Sequence, residues 1–416
     1  MRLSVTLQSL VALFAVLSLP SCTTSKPYEF SKDPVELAPP SPTVVSKPSS
    51  FTAWKTDFIE RAKAAGIAAT DVERLILPVE LHQKTISRDR QQAEFMKMPW
   101  EYIDNAVAQE RIRQGQQNFQ RHTDFLRTLE KQYGVPAEII TAIWGLESSY
   151  GKNTGQSDLA QSLATLAYEG RRREFAEQQL LALLQLLARG DVQWMQLRGS
   201  WAGGMGETQF IPSTWLEQGI DGDRDGQRNP WATADALAST AHYLNRSGWQ
   251  SGIKPFYEVR LPAGFDYRAL DSKQTLSQWG QLGLTDQNGK RLIGAASAQL
   301  WLPAGVQGPA LLLTKNFETI KVYNNSSNYA LGISLLAERI AGKSDLVRAW
   351  PRHERPLSTE QVKRLQQYLT VNGYDTHGSD GILGTNSRRA FARWQADHGQ
   401  VPDGFVSQST TATILN

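Results

Sequence analysis

Apolar residues recur at helical spacing along most of the chain. Trp54, Phe58, Ile59 and Ala62 form the first such stripe, so ordered structure is expected to begin near Phe51. From there to about Ile253 the pattern stays mostly helical. The Leu-rich run Phe175–Ala188 reads as a buried helix, since its Glu and Gln residues and its short length argue against a membrane span. Between about Lys254 and Thr319 the texture changes. Pro and Gly punctuate short apolar runs, Phe256–Leu261 and Pro309–Thr314, which read as strands. A helix returns at Tyr329–Ile340. Near the end, Val362, Leu365, Tyr368 and Leu369 mark one amphipathic helix and Ala390, Phe391, Trp394 and Gln395 another, with Asp380–Thr385 as the turn between them. The pattern as a whole predicts a mainly α protein.

Composition narrows the function classes. A chain of 416 residues implies two or three folded units. The formal charge, 44 − 41 = +3, is too thin and dispersed to imply a nucleic-acid partner. One Cys excludes an internal disulfide and a cysteine-based zinc site. That Cys has a specific setting. A single cation, Arg2, precedes an apolar stretch from Leu10 to Leu19, too short to span a bilayer and of signal-peptide length. Leu19-Pro20-Ser21-Cys22 resembles a bacterial lipobox, so Cys22 is expected to be lipidated; Thr24, rather than Asp, follows two residues later and points to the outer membrane. Ordinary secretion with an incidental Cys is the plainer alternative. Residues 22–50 are rich in Pro and Ser and read as a flexible tether.

The most informative stretch is Gly134–Gly151 (GVPAEIITAIWGLESSYG). Gly134-Val135-Pro136 reads as a helix start and Gly151 as its stop. Ile140, Ile143, Trp144 and Glu147 fall at i, i+3, i+4 and i+7, which puts Glu147 on the apolar face, while Glu138 points the opposite way. A carboxyl among apolar side chains is costly to ionise, so its pKa should rise, as a general acid requires. Gly145 would leave room beside it for a ligand. Spacing alone leaves equally open a buried glutamate satisfied by an arginine or by backbone donors.

Gly145-Leu146-Glu147-Ser148-Ser149-Tyr150-Gly151 resembles the catalytic signature of lytic transglycosylases, in particular the membrane-bound lytic murein transglycosylase B family. Pro99–Val107, Thr165–Phe175, Ser200–Trp215, the acidic loop at Asp221 and Asn316–Ala330 are similar in order and spacing to segments of that family. The resemblance implies a lysozyme-like α+β catalytic domain over residues 51–342 with a small β-containing insert. It implies cleavage of the β-1,4 bond between N-acetylmuramic acid (MurNAc) and N-acetylglucosamine (GlcNAc) in peptidoglycan, leaving a 1,6-anhydro end rather than adding water. Glu147 would be the single catalytic acid; a two-carboxylate glycosidase needs a partner about 5–9.5 Å away, and none follows within this helix. Glu207 is the rival acid, read instead as solvated or structural. Ser200 and Gln209 match positions that hydrogen-bond the acid or the sugar, Gln209 having both an amide donor and an acceptor; a loop-bracing amide is its alternative. Arg171 and Arg172 match an arginine pair that could meet lactyl or peptide carboxylates. Asn316, Tyr323 and Asn324 match a cleft-lining segment. Structural roles are as open for all of these.

Asp221, Asp223 and Asp225 alternate and precede Gly226, the opening of an EF-hand loop whose seventh position, Gln227, would offer its carbonyl. Ala232 stands where position 12 should carry Glu, and the next acid is Asp235. The resembled family has a longer calcium loop closed at that point, so structural Ca2+ is expected, a solvated acidic turn being the alternative. Residues 357–416, after a linker at 343–356, resemble the three-helix peptidoglycan-binding module of wall enzymes, here read as tethered to the catalytic unit; His377 and His398 read as loop residues rather than a zinc pair. The partners implied are peptidoglycan strands with their stem peptides, and an outer membrane reached through a lipid anchor on its periplasmic face in a Gram-negative envelope. The protein is expected to be a monomer. The competing readings are a hydrolytic muramidase and a non-catalytic wall-binding lipoprotein.

Overall fold

A computed structural model describes residues 48–91 and 97–415. The signal-peptide reading, Cys22 and nearly all of the tether lie outside the described residues. Among these residues helices dominate, with one two-stranded and one four-stranded antiparallel sheet. The first helix, Phe51–Ala64, is capped by Ser50 and buries Trp54, Phe58, Ile59 and Ala62, the stripe the spacing picked out. The Leu-rich run lies within helix Arg173–Arg189, which buries Leu180, Leu183, Leu184 and Leu186 in one of two large apolar cores. Among the described residues no helix is long and apolar enough to cross a membrane.

The other large core is built around helix Ala137–Ser148, packed against helices Ser327–Ile340, Gln109–Arg121 and Thr233–Arg246. Its ends differ from the sequence reading. Gly134, at φ +70°, closes the preceding helix Thr123–Tyr133, and Pro136 caps the new one, its carbonyl accepting from Ile139 and Ile140 N–H. The helix stops at Ser148, three residues before Gly151. Ser149 and Tyr150 are both left-handed, at φ 53° and 61°, a costly backbone for a bulky residue. Three contacts hold that turn. Ser148 Oγ accepts Gly151 N–H at 2.8 Å, the Tyr150 hydroxyl donates to Arg111 O at 2.8 Å, and the Tyr150 ring stands edge-on to Trp144.

The β-containing insert is a four-stranded sheet in the order Phe256–Val259, Ala310–Thr314, Ser297–Trp301, Lys273–Thr275. Phe256 pairs with Leu313 and Val259 with Ala310. The inner strand Ala310–Thr314 is covered on both sides, so it reads as a continuous apolar run, whereas Lys273–Thr275, shorter and more polar, carries little signal.

The C-terminal module has helices Thr359–Val371, Thr385–Asp397 and Ala412–Leu415 around Leu365, Phe391 and Trp394. It does not hang from a free linker. Glu258 accepts Val347 and Arg348 N–H at 2.8 Å each, Arg352 forms a two-pronged ion pair with Asp104, and Trp350 lies against Trp100. Phe405 of the module joins Met98, Trp100 and Ala304 in a small shared core, and Asp403 accepts Val306 N–H at 2.9 Å. Within the linker it is the Trp350 and Arg352 side chains and the Val347 and Arg348 N–H groups that make these contacts.

Candidate active site

Glu147 occupies the last turn of helix Ala137–Ser148, half-buried, above Ile140, Ile143 and Trp144, which are fully covered. The Tyr329 hydroxyl donates to its Oε1 at 2.6 Å. Loss of hydration pushes the carboxyl up to about 7, and the tyrosine hydrogen bond, which favours the charged form, only partly opposes this. Among the described residues no arginine or lysine pairs with it. Three phenols share its surroundings. Tyr102 is pushed up to about 12 and Tyr323 and Tyr329 well above their usual range, by burial first and by the Glu147 charge second. All three are therefore neutral near pH 7. Glu138, on the opposite face as expected, pairs with Arg127 at 2.8 Å.

Gly145 does not make room for a ligand. A Cβ there would lie 2.4 Å from Cζ of Tyr150, so the missing side chain admits the tyrosine ring under the helix.

The Gly-rich turn after Ser200 forms a wall held by its own side chains. Ser200 Oγ accepts Gly204 N–H at 2.8 Å and makes no bond to Glu147. Gln209, left-handed at φ 53°, donates both amide hydrogens to carbonyls, Thr154 O at 2.9 Å and Gly206 O at 2.8 Å, leaving its Oε1 as an acceptor. It is thus a loop brace with one polar atom to spare. Glu207 is not a solvated residue. Thr233 donates to its Oε1 at 3.0 Å, while Oε2 is enclosed with no partner beside the Trp144 indole, and burial raises its pKa. Its N–H donates to Pro230 O at 2.9 Å, and neighbouring Gly206 (φ +67°) passes so close that a Cβ would meet that same carbonyl at 2.0 Å.

Other expected contacts fall away. Asn316 is fully buried: its amide donates to Gln250 O at 2.8 Å and Ile253 O at 2.6 Å, and its Oδ1 accepts Gln250 N–H at 2.7 Å. Nothing remains for a sugar, so it is a loop brace. Arg171 forks onto the buried Asp89, and Arg172 is 3.7 Å from the same carboxylate. Both are committed to a structural pair, though Arg171 stays largely exposed. Tyr323 donates to Thr240 at 2.8 Å and packs with Phe210 and Tyr243. Asn324 is exposed beside it. Sequence reasoning missed Tyr329 and Tyr102, which lay inside segments already singled out; only the hydroxyl geometry distinguishes them.

In the acidic loop, carboxylate oxygens of Asp221, Asp223 and Asp235 lie within 4.8 Å of one another. Asp225 and Gln227 are not part of that cluster; Asp225 Oδ1 accepts Gln227 N–H at 2.8 Å, bracing the turn. Asp235 sits in the first turn of helix Thr233–Arg246, where its oxygens accept Gly222 and Asn229 N–H at 2.7 Å each. Burial, together with the charges of Asp223 and Asp221, raises its pKa despite those bonds. Three hard oxygen donors under mutual repulsion suit a divalent cation such as Ca2+.

A helical body carrying a desolvated glutamate at a helix end, faced by neutral phenols, fits a lysozyme-like glycan-cleaving class. Residues 50–338 match the family described as Transglycosylase SLT domain, and the chain belongs to that family. Residues 358–414 match a peptidoglycan binding domain. Membrane-bound lytic murein transglycosylase B of Escherichia coli (strain K12) is 31% identical over 246 residues, 58% of this chain and 66% of the relative, so the chain spans just under two thirds of that protein's length. SltB3 of Pseudomonas aeruginosa, solved with NAG-anhNAM-pentapeptide, is 42% identical, with a TM-score of 0.85 over 88% of this chain and 100% of that one. The Escherichia coli lytic transglycosylase SLT35 in complex with calcium is 26% identical, with a TM-score of 0.61 over 69% and 92% of the two chains.

Proposed function

We propose that this protein is a peptidoglycan lytic transglycosylase that breaks the β-1,4 MurNAc–GlcNAc bond and leaves a 1,6-anhydro-MurNAc end, in wall turnover or remodelling. The carrying observation is the half-buried carboxyl of Glu147, held near pKa 7, with no cation paired to it among the described residues. Glu147 gives its proton to the glycosidic oxygen as the C1–O bond breaks. As carboxylate it then takes the proton of the C6 hydroxyl, whose oxygen closes onto C1, so the acid is regenerated without water. Tyr329 keeps the carboxyl oriented through both steps and steadies its charged form. Neutral phenols around it add no competing charge. Tyr323, Asn324, the free acceptor of Gln209 and Ser200 are the groups we assign to sugar contact.

Calcium is the ion we assign to Asp221, Asp223 and Asp235, with Asp225 and the Gln227 carbonyl as neighbours that a bound ion could recruit. Its role is structural: Pro230 and Thr233, at the end of this loop, hold Glu207 in the cleft wall. The residue ranges 51–342 and 357–416 are the catalytic and wall-binding parts in this reading. Lipidation at Cys22 would place the enzyme on the periplasmic face of the outer membrane as a monomer. Mass spectrometry of muropeptides released by wild type and Glu147→Gln tests the proposal. Anhydro ends should dominate in wild type and vanish in the variant; free reducing ends would mean hydrolysis.

A further inference from the structure

The Glu207 carboxyl touches the acid-bearing segment on both sides of Glu147. One contact is Trp144, a single turn earlier in helix Ala137–Ser148. Its indole Nε1 and Glu207 Oε2 are both enclosed, and neither makes a regular hydrogen bond with any described residue. They form a donor and an acceptor side by side, and the indole N–H favours the charged carboxyl. The other contact is Gly151, four residues after Glu147. A Cβ on Gly151 (φ +79°) would stand 2.8 Å from Glu207 Cδ and Oε1, so the missing side chain is the space the carboxyl fills. Between these two contacts the chain passes through Glu147 and then through left-handed Ser149 and Tyr150.

Glu207 is itself fixed from elsewhere. Its N–H donates to Pro230 O at 2.9 Å, and its Oε1 accepts the hydroxyl of Thr233, the first residue of helix Thr233–Arg246, at 3.0 Å. The bonds at Ser148 Oγ and the Tyr150 hydroxyl tie the strained turn only to its own helix and to Arg111. Glu207 adds a brace from the opposite wall. An apolar side chain could fill the same space without the cost of burying a carboxyl. A planar group with two acceptors does something an apolar one does not: it fixes Thr233 and Trp144 relative to each other.

We propose that Glu207 is a positioning residue for Glu147, its carboxyl locking Trp144 and Gly151, and with them the end of the acid helix and its strained turn, onto helix Thr233–Arg246. This deepens the transglycosylase reading and rests on it. Glu207 acts through the backbone that carries Glu147 and touches no reacting atom. Small displacements of a proton donor are costly, so the brace matters to rate as well as to stability.

The test uses the full chain and two readouts, kinetics on soluble uncrosslinked glycan strands and the carbon-13 titration of the Glu147 carboxyl, which needs no turnover. Glu207→Ala removes the brace, so kcat should fall about tenfold with KM within about twofold. The loosened helix end lets water reach Glu147, and its titration midpoint should drop by about one pH unit. Glu207→Gln keeps the shape and an acceptor oxygen, and should restore both to near wild type. Thr233→Val, a milder change that removes only the hydroxyl, should move both readouts in the direction of Glu207→Ala and decides the matter if that variant does not fold. A lowered melting temperature with kcat and midpoint unmoved would reduce Glu207 to a stability role and overturn the proposal. So would a Gln variant as damaged as the Ala variant. A wild-type midpoint already at or below 4.5 would instead sink the transglycosylase reading on which the inference stands.

Discussion

Glu147 and Glu207 are both half-buried glutamates in the same part of the molecule, and burial raises both pKa values. They differ in what surrounds the second oxygen. Glu207 is pinned by Thr233 and its backbone by Pro230, and its Oε2 is shut in beside Trp144. Glu147 takes one hydrogen bond from a phenol and keeps an oxygen that is not enclosed. Burial alone therefore does not make a catalytic acid. A raised pKa becomes chemistry only where the proton can leave toward a substrate.

The largest effect should come from Glu147→Gln, which keeps the shape and removes the proton donor. Turnover should fall about a thousandfold. Its stability has a definite sign. In the folded state the carboxyl keeps its proton up to about pH 7, whereas unfolded it loses it near 4.5, so the folded protein binds more protons in that window and stability falls as pH rises through it. The variant lacks this loss and should melt above wild type at pH 8, by calorimetry, with a gain on the order of 1–2 kcal/mol after allowing for solvent at the open side.

Tyr329→Phe comes next. It removes the bond that favours the carboxylate, so the Glu147 pKa should move up and the alkaline limb of the pH–rate curve should follow it, with about a tenfold loss in kcat. A limb that moves down would show that the phenol acts otherwise.

Calcium removal ranks third. Chelation should lower Tm by about 5 °C and leave that limb in place, since the loop supports the wall without touching Glu147. Asp235→Asn should abolish the chelator effect.

The smallest effect belongs to Glu207→Gln, with kcat within about twofold and a slightly higher Tm at pH 8, where a buried charge is no longer formed. A loss comparable to that of Glu147→Gln would instead mark a second catalytic carboxyl and favour hydrolysis.

What could be read in advance follows the range of the interactions. Local periodicity exposed the first helix, the Leu-rich helix, the acid helix and the apolar run Ala310–Thr314, because each is fixed by its own residues. Glu147 on an apolar face was legible for the same reason. The roles of Asn316, Arg171 and Arg172 were not, because Gln250, Ile253 and Asp89, the groups that occupy them, are dozens of residues away. Tyr329 was hidden similarly: its partner lies 182 positions earlier. Gly145 was misread because its neighbour, Tyr150, turns back under the helix only through two left-handed residues, which no spacing rule anticipates.

The most direct measurement is a carbon-13 NMR titration of the Glu147 carboxyl in the intact protein, assigned by its loss in Glu147→Gln. A midpoint near pH 7 supports an acid held ready by its apolar seat. A midpoint at or below 4.5 would contradict it.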